Sequence, residues 1–417
     1  MKRVLKFLGW VVGVVLAVIL VLLLYVQAVW DRSDKRSAPV MAAKHDSVTI
    51  ARGEYIFNVT WQCGGCHTGQ RGNPDALPSG GQVFDLRDIG PGFGVYYSRN
   101  ITPDSTTGVG AWTDGEIVQA IREGVRKDRR VLFPLMPIDW LNGISDKDAL
   151  ALVAYLRSLP PVRKEIPSAE PSMMARALFA FNVLAPKAPI TTTRVAPVRG
   201  VTAEYGKYFA SHLSGCADCH TPRNLNNGQF YFDSVFAGGS IEFGAPEGHP
   251  LRSYASNLRA VLGNGTDRWS EEDFVGAVTS GMRADGTVLD PHMPYSAFKR
   301  LEAEDIKAMY LFLGSLERIP RVVPPSRYAS RVLAARGSDR GKLLFESRCA
   351  PCHGVEGKGA APTAVKLAEV SASISDTDFM DFVLKGQPNL KMPSFGKTFS
   401  SEEVRDLVAF IRTWERH

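Results

Sequence analysis

Six cysteines, and the residues around them, constrain this chain more than any other feature. They fall at "CGGCH" (Cys63, Cys66, His67), "CADCH" (Cys216, Cys219, His220) and "CAPCH" (Cys349, Cys352, His353), and none is left over. Each is a C-x-x-C-H motif, the attachment signature of c-type haem. A two-residue gap sets the thiols about one helical turn apart, matching the two vinyl groups of one macrocycle. Each S–H adds across a vinyl double bond to give a thioether, and the next His turns its imidazole to the iron as proximal ligand. Zinc wants four ligands, usually from two such knuckles brought together, and three units do not pair evenly. A thioredoxin-like disulfide would follow a strand in a βαβ setting, which the sequence does not offer. Structural disulfides have no use for a His after every second Cys. Three covalently bound haem c groups are therefore expected, held by His67, His220 and His353 from one side.

The sixth iron ligand emerges when the chain is laid on itself. "YYSRN…GVGAWTDGEIVQAIREGVRKDRRVLFPLMP" (96–137) matches "SYASN…GTDRWSEEDFVGAVTSGMRADGTVLDPHMP" (253–294). Tyr97 meets Tyr254, Asn100 meets Asn257, Trp112 meets Trp269 and Met136 meets Met293, every offset being 157. The third unit is shorter but ends in Met392-Pro393, so each haem motif is followed by one Met-Pro dipeptide. A residue before proline is pushed toward extended dihedrals, from which a thioether can reach across a haem face. Met136, Met293 and Met392 are the expected distal ligands. In "DPHMPY" (290–295) a histidine competes with the methionine, but the position before Met-Pro holds Leu135, His292 and Lys391 in turn, so Met293 is favoured. Met282 aligns with Val125 and reads as core. Arg99, Asn100, Asn257 and Arg223 lie on loops near the motifs, where propionate binding and ordinary loop hydrogen bonding explain them equally well.

Flanking helices repeat too. "RGEYIFNVTWQ", "YGKYFASHLSG" and "RGKLLFESR" precede the attachment sites, each with a glycine: Gly53, Gly206 and Gly341. "ALVAYLRSL", "AMYLFLGSL" and "DLVAFIRTW" follow the Met-Pro loops, with aromatics at Tyr155, Phe312 and Phe410. A glycine on the first helix permits close approach of the last, as in a cytochrome c domain. Acidic first turns open the last helices, with Ser145 and Ser400 or Ser401 as caps. The expected fold is mainly α: three tandem cytochrome c domains (45–160, 198–319 and 335–417) behind a single N-terminal transmembrane helix (1–36). A linker at 161–197 carries an apolar stretch, "MMARALFAFNVL", read as a short helix packed on its own domains, with a partner-facing surface as the alternative. A proline-rich linker at 320–334 is expected to be stiff.

"FLGWVVGVVLAVILVLLLYVQAVW" (7–30) is 24 residues of almost unbroken apolar character. About 20 suffice to span a bilayer core, and a cleaved signal has an apolar region of only 7–15. An uncleaved anchor is expected, although "VQA" at 26–28 would also serve as a cleavage site. Basic residues flank both ends, so the positive-inside rule does not decide orientation. Haem attachment of this kind takes place outside the cytoplasm. The expected location is therefore the bacterial inner membrane, single-pass, with the haem domains in the periplasm. A net charge of +6 over 417 residues, without a dense basic tract, gives no nucleic-acid footprint.

"RGEYIF…CGGCHTG", "YYSRNITPD", "REGVRKD" and "PLMP" resemble the triple-haem cytochrome c subunits of membrane-bound bacterial alcohol, aldehyde and gluconate-type dehydrogenases, and the similarity runs over about 50–417. That resemblance implies an electron-transfer subunit rather than an enzyme in its own right. It would take electrons from a dehydrogenase subunit or a respiratory complex and pass them to a quinone, an oxidase or a soluble acceptor. Family members typically carry a cleaved signal and touch the membrane near the C-terminus, whereas this chain presents its apolar span at the N-terminus. A multihaem enzyme, a peroxidase or small-molecule reductase, is the competing reading. It requires one iron with an open or displaceable ligand and acid–base groups beside it.

Overall fold

In a computed structural model of the chain, the described residues are 2–68, 76–88, 92–225, 228–241, 243–244, 252–262, 268–283, 289, 292–323, 337–354, 356–359, 366–370, 373–387, 389, 392, 394–396 and 399–416. They are mainly helical. Two small antiparallel sheets accompany the helices: Val83–Asp85, Gly94–Tyr97 and Glu170–Pro171 in one, Phe243–Gly244 and Arg252–Ser253 in the other. Lys391, Pro393 and the linker from 324 onward lie outside the described residues.

Three helix crossings follow one plan. Ser47–Tyr55 crosses Asp146–Ser158, Ala203–Tyr208 crosses Ala303–Ser315, and Gly337–Arg348 crosses Ser401–Ile411. The glycine expected at each crossing is there. A Cβ on Gly53 would stand 1.9 Å from the Ala151 carbonyl oxygen, on Gly206 1.9 Å from that of Ala308, and on Gly341 1.8 Å from that of Asp406. Capping fixes where the last helices begin. Ser145 accepts from Asp148 N, and Ser400, not Ser401, forms a capping box with Glu403.

In the first two repeats the first cysteine lies ten positions after the glycine, and in the third eight. The structure absorbs the excess in π-helical turns at Ile56–Thr60 and Phe209–Leu213. The Trp61 N–H reaches back five residues to Ile56 O at 3.0 Å, and the Ser214 hydroxyl makes the equivalent reach to Phe209 O at 3.0 Å. The third helix stays α-helical to Arg348. Such bulges cost hydrogen-bond geometry and cluster at functional positions; here they aim the attachment motif.

One apolar cluster runs through both of the first two repeats, joining Ile56, Leu152 and Trp140 to Phe209, Phe236 and Leu313. Trp140 meets Phe230 edge-on at 5.0 Å. Polar contacts across this boundary come in matching pairs. Tyr55 donates to Asp305 and accepts from Glu302 N; Tyr208 donates to Asp148 and accepts from Ser145 N. Matching contacts in both directions make this an isologous interface with pseudo-two-fold symmetry inside one chain. A second cluster, around Leu344, Phe345, Phe379, Val404, Leu407 and Ile411, serves the third repeat. Met282, read as core, packs against this second cluster and accepts from Arg348 at 2.8 Å.

The N-terminal helix, Lys2–Val29, exposes almost all of its side chains; residues 3–29 are long and apolar enough to cross a membrane.

Candidate haem-binding site

The attachment motifs open short helices, Gly64–His67, Cys216–His220 and Ala350–His353. His67 N bonds to Cys63 O at 3.0 Å and His353 N to Cys349 O at 2.8 Å, so two thiols and one imidazole share a single helical turn. No disulfide joins any of the six cysteines. Cys63 is half-buried but walled by apolar atoms, and this burial pushes its thiol up to about 12, as it does for Cys219 and Cys349.

Two of the histidines are oriented by backbone. His67 Nδ1 lies 2.9 Å from Arg99 O and His220 Nδ1 2.7 Å from Ser256 O, acceptors that occupy equivalent repeat positions. A carbonyl can only accept, so Nδ1 carries the proton and Nε2 keeps its lone pair for a metal. Burial holds both imidazoles below their ordinary pKa, in the neutral form that ligates. The residue after each acceptor is a buried asparagine. Asn100 donates to Val162 O at 2.7 Å and accepts from Thr102 N; Asn257 donates to Ile319 O at 2.8 Å and accepts from Ala260 N. These asparagines clamp the loop that supplies the carbonyl. Their exact recurrence 157 residues apart was the sequence signal for this role. Arg99 donates to Pro167 O, and Arg223 bonds Asp218 while lying over the Phe230 ring.

The first two Met-Pro dipeptides share a conformation. Ile138 N bonds to Met136 O at 2.7 Å and Tyr295 N to Met293 O at 2.8 Å, with Pro137 at φ −76°, ψ 56° and Pro294 at φ −82°, ψ 50°. These are inverse γ-turns, and proline's fixed φ suits their centre. Each turn launches a short helix, Ile138–Leu141 or Tyr295–Phe298, and leaves the methionine half-buried against the core. His292 is exposed beside it.

Cys63, Cys66, His67 and Met136 line one cavity together with Cys216, Cys219, His220 and Met293. Its volume is about 1540 Å³, beyond the roughly 300–1,000 Å³ of a single small-molecule site. Trp112 and Trp269 wall it from equivalent positions, and Trp61 stands where the two halves meet, donating to His212 O at 3.1 Å. Thiol pairs, a neutral imidazole and a facing thioether in an apolar chamber are the donor set a c-type haem needs. When bound, that group supplies one-electron redox chemistry.

The family described as "Cytochrome C oxidase, cbb3-type, subunit III" matches residues 337–411. Most of the chain is similar to one subunit of the nicotinate dehydrogenase of Pseudomonas putida, 28% identical over 406 residues, 92% of this chain and 32% of that much longer protein. It is similar as well to the cytochrome c subunit of alcohol dehydrogenase (quinone) from Gluconacetobacter polyoxogenes, 28% identical over 88% of this chain and 81% of that one. The gluconate 2-dehydrogenase cytochrome c subunit of Pantoea cypripedii is 28% identical over 87% of this chain and 85% of its own length. The last two of these relatives are cytochrome c subunits of dehydrogenases, and residues 337–411 match a cytochrome c domain.

In the third repeat, Cys349 and Met392 pack against the same apolar cluster. Met392 is pinned by a two-way backbone pairing with Gln387, at 2.9 and 3.1 Å. Phe345 and Phe410, the helix-crossing aromatics, lie 5.7 Å apart, and Trp414 closes on Phe345 edge-on at 5.0 Å. Cys352 and His353 are half-buried on the same short helix.

Proposed function

We propose that this chain is a membrane-anchored, triple-haem electron relay built as three cytochrome c domains (45–160, 198–319, 335–417). Haem c is attached at Cys63/Cys66, Cys216/Cys219 and Cys349/Cys352, with iron ligated by His67 and Met136, His220 and Met293, His353 and Met392. The observation that carries this reading is the shared cavity, where two motifs and their methionines face one chamber and each histidine is locked in its ligating tautomer. With every iron six-coordinate there is no vacant position for a substrate, and the chain moves electrons without transforming a molecule. Relatives that are subunits of nicotinate, alcohol and gluconate dehydrogenases support a dehydrogenase subunit as donor.

The N-terminal helix anchors the chain in the bacterial inner membrane, and the haem domains lie in the periplasm, where c-type attachment takes place. The cavity wall includes Trp30 and Asp31, at the end of that helix. This supports the first site as the one nearest the bilayer and a membrane quinone as acceptor, in preference to an oxidase or a soluble protein. The test is a redox titration of the purified chain with a haem count per polypeptide. Three low-spin, reversible centres are expected. A high-spin iron that binds carbon monoxide in the resting protein would sink the relay in favour of a multihaem enzyme. Copurification from detergent-solubilised membranes names the donor.

A further inference from the structure

The linker helix, Met173–Ala180, does not bury its apolar residues on the haem-binding repeats alone. It seats against the end of the N-terminal helix: Tyr25 lies 5.8 Å from Phe181, the Arg176 guanidinium sits 5.0 Å over the Trp30 ring, and Arg176 donates to Gln27 at 2.8 Å. On its other side, Phe179 meets Phe133, which walls the cavity, at 6.3 Å. Between these contacts Met173, Met174, Phe181, Val183 and Leu135 remain 40–54% exposed. They form a cluster of large apolar side chains open to the surroundings, which on a soluble surface is costly.

The position of this cluster says what covers it. Residues 3–29 form 27 residues of helix, about 40 Å long and therefore longer than the roughly 30 Å hydrocarbon core. Trp10 and Trp30 are spaced by about 30 Å of helix, as aromatics at the two interfaces would be. Tyr25, Gln27 and Trp30, the residues the linker helix touches, thus sit at headgroup level. Exposed Arg129 and Arg130 rim the same end, tied there by Asp34 N to Arg129 O and by Arg130 to Asp31, and Arg32 bonds Asn182 just beyond the linker helix. Apolar side chains bordered by arginines match the chemistry of a bilayer interface with anionic headgroups.

We infer that the linker helix is a second, monotopic membrane contact, with Met173, Met174, Phe181 and Val183 dipping into the interfacial layer, so that the first haem cavity is held flat against the bilayer. This inference rests on the anchor reading of the N-terminal helix.

The test uses the full-length, haem-loaded protein in nanodiscs of phosphatidylcholine and phosphatidylglycerol. Single nitroxide labels go on Met174→Cys and Phe181→Cys, with Leu16→Cys reporting the anchor and Val201→Cys as an aqueous control. A several-fold higher ratio of oxygen to nickel-chelate accessibility at 174 and 181 than at 201 is expected. Water-like values at both positions, with Leu16→Cys in lipid, overturn the inference and leave the anchor standing. A water-like Leu16→Cys overturns the anchor and the inference together. Shielding of 174 and 181 that appears only when a dehydrogenase subunit is added assigns the face to a protein partner and also overturns the inference.

Discussion

Tyr55 donates its phenolic proton to Asp305 at 2.7 Å, across 250 residues of sequence. Its repeat counterpart Tyr208 does the same to Asp148 at 2.6 Å. Each carboxylate also serves its own repeat: Asp305 receives Tyr205 and Arg199, and Asp148 receives Arg52. Burial, with the facing carboxylate, pushes both phenols well above their ordinary pKa, so they remain donors throughout the working range. Tyr55→Phe leaves a fully buried carboxylate short of one partner. A loss of about 1.5–3 kcal/mol in denaturant unfolding is expected, with Tyr208→Phe behaving alike. If neither change lowers stability, the paired bonds are not what holds the two repeats together.

The Met-Pro assignment is tested at its weakest point, where a histidine adjoins the methionine. Met293→Ala is expected to remove one of the three sulfur-to-iron charge-transfer contributions and lower the potential of one centre, because losing a thioether destabilises the reduced iron. His292→Ala, at an exposed position, is expected to leave both unchanged. Absorption spectra with redox titration check the pair, and a spectral change in the histidine variant alone would reverse the assignment.

Gly341→Ala forces a methyl group against the Asp406 carbonyl. The two helices must part, at a cost of about 3 kcal/mol. The third repeat has its own apolar cluster, so the loss is expected as early local unfolding. Proteolysis within 337–416, ahead of any change in the first two repeats, is the readout.

Stability is also expected to depend on pH through His212. Burial lowers its pKa below the ordinary 6.5, although its Nδ1 bond to Trp140 O works the other way. In the unfolded chain this imidazole takes up a proton below 6.5 while the folded one resists. Its contribution is thus complete above 6.5 and is lost as pH falls through the folded value. His212→Gln should flatten the drop in unfolding temperature between neutral pH and about pH 5; an identical slope in the variant would assign that drop to other groups.

Much of the site was legible in the sequence because it is written in residue types. Thiols, imidazoles and thioethers have few substitutes; the 157-residue register brought out Met136 and Met293, and the glycines Gly53 and Gly206 recur at the 153-residue offset of the attachment motifs. The orientation of His67 and His220 was not legible, because their partners are backbone carbonyls of Arg99 and Ser256, and a carbonyl belongs to every residue. Nor was the Tyr55–Asp305 exchange, since nothing in either local stretch indicates that one repeat caps the other's last helix. The spacing of ten residues against eight between glycine and cysteine foreshadowed the π-helical turns, and its meaning appears only with the backbone traced. The linker helix was expected to pack on its own domains. It does so on one face only, because the N-terminal helix claims another.

The shared cavity has a consequence for how the chain fills with electrons. Two haems held in one largely apolar chamber would feel each other's oxidation state, since an apolar surrounding screens charge weakly. An electron placed on one raises the energy of placing a second. Their titration then has two macroscopic midpoints that belong to the pair and to neither centre alone. The third centre, with a separate core, would follow an independent single-electron curve. Under steady flux the pair would rest half-filled, ready both to accept from one side and to give to the other.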